Sequence, residues 1–147
     1  MKRPLALTLF ALALALRLSI ASAHEHHAPH KGTLIEFGEE FAHLELVIDQ
    51  ATGKISAYAL DGEAEKAVRI AQAEIEIKVA KADKPFSVTL KAQASPLSGE
   101  KVGDTSEFAG QSEGLKGLAN FDGVVASITI KGKAFENVKF NFPKGNE

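Results

Sequence analysis

The stretch "EIEIKV", from Glu74 to Val79, alternates without a break. Ile75, Ile77 and Val79 fall on one side, and Glu74, Glu76 and Lys78 on the other. Successive side chains of a strand point to opposite faces, so a period of two predicts a half-buried strand. The pattern recurs. "FSVTLK" turns Phe86, Val88 and Leu90 inward, and "VVASITIKG" does the same with Val124, Ala126, Ile128 and Ile130. "FENVKFNF" opposes Val138, Phe140 and Phe142 to Asn137, Lys139 and Asn141. A chain with so many one-sided strands must bury their apolar faces against one another, which points to an all-β domain.

The front of the chain extends the pattern. "TLIEF" reads as a short strand that Gly38 ends. "FAHLELVID" then points Ala42, Leu44, Leu46 and Ile48 to one side, and "KISAYAL" returns after the turn "QATG". Gly53 in that turn is free to take positive φ. "EAEKAVRIAQA" is ambiguous: its alanines and glutamates favour a helix, while Val68 and Ile70 suit a brief strand. Residues 95–120 are rich in Gly and Ser and read as a long loop with one short strand at "SEFAG", where Phe108 can plug the core. The count is seven or eight short antiparallel strands. The expected architecture is an immunoglobulin-like β-sandwich, with a small β-barrel as the alternative.

The first residues follow another rule. "MKR" is a positive start, "PLALTLFALALALRLSI" an apolar run broken by Arg17, and "ASA" a small-residue cleavage signal. This is the pattern of a secretory signal peptide over residues 1–23, and the run is short for a membrane span. Residues 24–32 form an expected flexible, His-rich segment, and residues 33–147 a single domain. The chain holds no cysteine, so neither a lipid anchor, a disulfide nor thiolate chemistry is expected. The leader contains three basic residues (Lys2, Arg3, Arg17) and no acid. The mature chain therefore keeps 14 of 17 basic residues and all 19 acidic ones, a net charge of −5. Nucleic acid and anionic membranes are poor partners for such a chain. The expected location is the periplasm or outside the cell.

Four of the five histidines follow the cleavage signal, in "ASAHEHHAPHKG": His24, His26, His27 and His30. Imidazole suits Cu(II), Ni(II) and Zn(II). A cut after Ala23 makes His24 the first residue and His26 the third. An α-amine, two deprotonated backbone amides and a third-residue imidazole make a square-planar nitrogen set for Cu(II) or Ni(II). A cut after Ala21 puts His24 third instead. A first-position histidine can also chelate copper through its amine and ring as a brace. With Pro29 and no apolar side chain for packing, the segment can equally be a solvated tail, and His27 and His30 fit that reading. The fifth histidine, His43, shares a strand face with Glu45. It reads as solvent-facing or as a cross-strand polar residue; the other reading is a ligand that meets the N-terminal histidines, with Glu45 beside it.

No serine stands in a nucleophile elbow, and no glycine-rich phosphate loop follows a strand. Oxygen ligands for calcium are too sparse in "DGEAE". A brace oxidase needs a second fixed histidine, and only His43 lies inside the predicted fold. The expectation is a non-catalytic protein.

The stretch "HAPHKGTLIEFGEEFAHLELVIDQATGKISAYALDGEAEKAVRI" resembles small uncharacterised periplasmic proteins of Gram-negative bacteria. Those carry a signal peptide, an "HGG"-like start, a "G…H-x-E" strand and a "D…TG…Y-x-x-D" hairpin; here "HKG" replaces the double glycine. The chain is also similar, more distantly, to small β-sandwich copper-handling proteins of the periplasm, but keeps no methionine after the leader. Some proteins of the first kind accompany heavy-metal efflux systems. The resemblance thus implies a metal-binding buffer, chaperone or efflux accessory, with metal ions and an envelope or efflux protein as partners. The alternative is an interaction module without a physiological metal.

Overall fold

The computed structural model describes residues 26–81 and 83–146. Eight strands form: β1 (Thr33–Phe37), β2 (Ala42–Asp49), β3 (Lys54–Leu60), β4 (Glu74–Ala80), β5 (Phe86–Ala92), β6 (Glu107–Gln111), β7 (Phe121–Ile130) and β8 (Lys133–Phe142). The ambiguous stretch before β4 is not helical. It runs extended, tied by bridges from Leu60 to Ala67 and from Ile70 to Thr105. Pairing outside the segment overrides its helical propensity.

All eight strands belong to one antiparallel sheet, in the order β1-β2-β3-β6-β5-β4-β7-β8. The short β6, the least patterned strand in the sequence, lies between β3 and β5 and joins the two halves of the sheet. The sheet curls until β1 approaches β8. The side-chain amide of Asn146 crosses the remaining gap, accepting from the Glu36 amide at 2.7 Å and donating to the Glu36 carbonyl at 3.1 Å. Thr33 Oγ1 donates to the Pro143 carbonyl at 3.1 Å in the same seam. The fold is therefore all-β and barrel-like, and the two-sheet sandwich gives way to the small barrel. Alternation marks an inward face, but it is the same whether that face meets a second sheet or the far side of its own.

Inside lie Ile35, Phe37, Leu44, Leu46, Ile55, Ile75, Ile77, Leu90 and Phe108, all fully or almost fully buried. A short 3-10 turn (Glu113–Leu115), capped by Ser112, buries Leu115 with them. Gly53 adopts φ +71 where a Cβ would collide with the Ser112 carbonyl, so the turn needs glycine twice over.

One inward set differs from the simple alternation. On β7 the buried residues are Phe121, Gly123 and Val125, then Ile128 and Ile130. Val124 and Ala126 are only half-buried. Across the hairpin, β8 changes phase between Phe135 and Val138, next to Asn137 at φ +52. A left-handed residue turns the side chains beyond it to the other face, so a constant period does not run the length of this hairpin.

Candidate functional site

The outward face of β2 carries His43 and Glu45. In register beside them stand Glu36 of β1 and Leu60 and Tyr58 of β3. A strand in the middle of a barrel wall normally shows this face to water. Here both His43 and Glu45 are fully buried, which corrects the solvent-facing reading of His43. Two pieces of chain account for the burial.

The first is the His-rich segment, described from His26 onward. Its only apolar side chains are those of Ala28 and Pro29, and polar contacts hold it. Glu45 Oε1 accepts the backbone amides of His30 and Gly32, both at 2.8 Å. Glu45 Oε2 meets His30 Nδ1, also at 2.8 Å. The His30 ring then stacks on Tyr58, with centroids 3.8 Å apart and planes 13° from parallel. Gly32 makes the approach possible: a Cβ there would stand 2.5 Å from the Leu46 carbonyl and 2.9 Å from Glu45 Cγ. Burial raises the pKa of Tyr58, and the charges of Glu107 and Glu45 add to the effect, so its phenol stays protonated at neutral pH.

The second piece is the turn after β3. Its Asp61 amide donates to the Lys66 carbonyl, and its carboxylate accepts the amides of Glu65 and Lys66 at 2.9 and 3.1 Å. Burial alone would raise the Asp61 pKa; those two amides, with the charges of Lys66 and Lys131, outweigh it and lower the value. The turn is thus stiff, and its Asp61 carbonyl stands 3.1 Å from His43 Nδ1. As the carbonyl can only accept, His43 carries its proton on Nδ1 in that contact.

His26 completes the arrangement. Its ring lies 4.8 Å from that of His43, centroid to centroid, at a 46° tilt. Its side chain is 6% exposed, and its Nε2 stands 3.6 Å from Glu40 Oε1.

The structure therefore brings four of the sequence candidates onto one face: His26, His30, His43 and Glu45. His27 points to solvent. His24 lies outside the described residues. Glu45 does not sit beside the His26–His43 pair as a ligand; its two oxygens are taken up by the His30 and Gly32 contacts. Among the described residues, no group of three or more His, Cys, Asp or Glu side chains is arranged to hold a metal ion. The histidine pair is thus at most part of a ligand set. Among those residues, too, no helix is long and apolar enough to cross a membrane.

No protein-family model matches the chain, and neither a curated protein nor a solved structure matches it.

Sequence reading passed over three participants. Tyr58 stands out in the sequence only as the tyrosine of the "Y-x-x-D" hairpin motif, with no part in a site. The Asp61 carbonyl is a backbone atom and leaves no trace in a side-chain pattern. Glu40 follows Gly38 in a turn where Asn or Gly is the ordinary choice; two glutamates there are the signal that was legible.

Proposed function

We propose that the protein is a secreted or periplasmic, non-catalytic binder of Cu(II), Ni(II) or Zn(II), acting as a buffer, chaperone or accessory to metal efflux. The observation that carries this reading is the buried contact between His26 and His43. Two imidazoles 4.8 Å apart on a barrel wall, one of them with its Nδ1 fixed by a carbonyl, have the character of a metal site's nitrogen donors. A histidine that ligates through one ring nitrogen is usually held through the other.

The remaining donors would come from the mature amino terminus. With cleavage after Ala23, the α-amine, two backbone amides and the His26 ring make the planar nitrogen set, and His43 stands beside that ring. The resemblance to periplasmic proteins near efflux systems covers residues 27–70, which include His43 but not His26.

Mass spectrometry of the secreted protein identifies its first residue and, under native conditions, any bound metal. Cu(II) titration followed by visible absorption and calorimetry then tests the site. The expected result is one tight site in the wild type, weakened at least ten-fold by His26→Ala. Equal affinity in the two proteins sinks the His26 assignment. His43→Gln, which can keep a donor towards Asp61, is expected to bind more weakly than wild type while remaining folded.

One observation favours a second reading, as an interaction module. The large apolar side chains Leu97 and Val102 are exposed on residues 95–104, a loop that is well braced. Arg69 donates to Asp104 at 3.2 Å and to the Ser98 carbonyl, and Glu100 accepts from Ser98 and Ser106. A pull-down from envelope extract, repeated with Leu97→Ser, tests it.

A further inference from the structure

We infer that the outer face of β4, β7 and β8, at the end of the sheet that holds Ala80, docks onto an anionic lipid membrane through lysines that act as point charges. The inference stands apart from the metal-binding reading and rests on other residues.

The mature chain is acidic as a whole, and net charge alone speaks against an anionic partner. The fold separates the charges. Glu36, Glu39 and Glu40 gather about the β1–β2 turn, and Asp61, Glu63 and Glu65 in the turn after β3. A lysine-rich face lies in the other half of the sheet. Ala80 of β4, Asp122 of β7 and Asn141 of β8 stand abreast, and two residues along so do Lys78, Val124 and Lys139. Residues directly opposite one another share a face, so two exposed lysines flank Val124 on the outside of the barrel. With about 4.8 Å between neighbouring strands, their backbones stand roughly 10 Å apart.

Three shallow depressions run together over this face. The first, of about 500 Å³, is lined by Lys139, Asp122, Val124 and Ala80 among others. The second, of about 490 Å³, shares Val124 and Ala80 with it and adds Lys78 and Phe86. The third, of about 260 Å³, shares Phe86 and adds Lys81 and Lys84. Four lysines thus stand against one carboxylate in the lining. That carboxylate, of Asp122, accepts from Asn141 Nδ2 at 2.9 Å. Glu113, between Ser112 and Gly114 of the third depression, is paired with Lys116 at 2.8 Å. The acids that bound the patch are Asp83, in the loop of Lys81 and Lys84, and Glu76, two residues before Lys78 on the same face of β4. None of the four lysines makes an ion pair or a side-chain hydrogen bond among the described residues.

The composition of the face decides its occupant. β7 is paired on both sides from Asp122 to Val125, so an added peptide strand finds no N–H or C=O there. Val124 and Phe86 are already half-buried and leave little apolar area for a protein partner. The cations are lysines, point charges without the planar fork by which arginine grips one carboxylate or phosphate. Unpaired point charges spread over a shallow surface suit a layer of anionic headgroups, which needs charge and no shaped pocket. With the acids gathered in the other half of the sheet, the molecule is oriented basic face to the membrane.

The test is co-sedimentation of the secreted protein with vesicles of phosphatidylcholine, alone or with phosphatidylglycerol added. Binding is expected only with phosphatidylglycerol, and it is expected to weaken as salt rises. Lys78→Gln and Lys139→Gln are each expected to lose about five-fold in affinity, and the double variant more. These side chains are exposed, so the melting temperature is expected to stay at the wild-type value. Lys54→Gln combined with Lys66→Gln makes the same change in net charge on the acidic half, and is expected to bind like wild type. An equal loss in that control overturns the assignment to this face. Absence of wild-type binding at low salt, or binding that salt does not weaken, overturns the inference itself. So does soluble poly-glutamate held as tightly as the vesicles, which makes the face a site for an acidic polypeptide. Self-association abolished by Lys78→Gln makes it an interface between copies, and that too rejects the membrane.

Discussion

Strands β2 and β4 are written in the same code, and their outer faces meet opposite fates. In β4, Ile75, Ile77 and Val79 point into the barrel, and Glu74, Glu76 and Lys78 stand in water. In β2, Ala42, Leu44 and Leu46 point inward, but His43 and Glu45 on the outer face are as buried as the core. Alternation reports the inward face in both. It says nothing of what lies over the outer one. A polar outward residue is solvated by default, and it is covered only when another segment brings donors to satisfy it. Glu45 organises such a cover: one carboxylate accepts two amides and faces a third donor on a segment whose only apolar side chains are Ala28 and Pro29.

The contrast can be broken by mutation. Glu45→Ala leaves the amides of His30 and Gly32 without their acceptor and strips the segment from β2. It is expected to cost about 3 kcal/mol in urea unfolding. Gly32→Ala adds a Cβ where the Leu46 carbonyl and Glu45 Cγ already stand. It is expected to cost about 2 kcal/mol and to raise hydrogen exchange at the His30 amide. Should Gly32→Ala prove neutral, the close approach of the segment is not needed for the cover.

Glu100 sharpens the contrast from a second place, as another carboxylate that organises loop chain. Hydrogen bonds from Ser106 and Ser98, against burial and with Arg69 nearby, hold its pKa below the ordinary carboxylate range. A lowered folded value means stability that is present above the unfolded pKa and lost as pH falls through the folded one. Glu100→Gln is therefore expected to lower the melting temperature at neutral pH. The gap from wild type should close as pH falls below the ordinary carboxylate range; a gap constant with pH would falsify the charge-based account. Smallest of all, Glu76→Ala on the solvated face of β4 is expected to stay within about 0.5 kcal/mol of wild type. If it costs as much as Glu45→Ala, the two faces do not differ as described.

Local pattern was enough for much of this fold. Every strand from β1 to β8 was legible, including the short β6 around Phe108, because alternation and turn residues are properties of neighbours in the chain. Where the pattern faltered, the cause was also local but hidden. Asn137 in the left-handed region shifts the inward set of the last hairpin, and the letters of β7 give no sign that Val125 rather than Val124 is buried. In the candidate site, the N-terminal histidines and the "HLE" pair of β2 stood out by residue type. That His26 meets His43 was one of several arrangements their chemistry allowed.

The sequence by itself determined an all-β domain of seven or eight strands, the buried faces of most of them, and the clustering of imidazoles after a leader-like segment. Tertiary structure decided that the strands make one curled sheet instead of two stacked ones. It also decided that the outer face of β2 is closed over, and that Glu40, from the turn before β2, stands at the His26 ring. The division has a physical origin. A side chain's direction is set by its own backbone and can be read along the chain. What covers it depends on which distant segments bring hydrogen-bond donors and acceptors to the same place, and that is fixed only when the whole chain is folded.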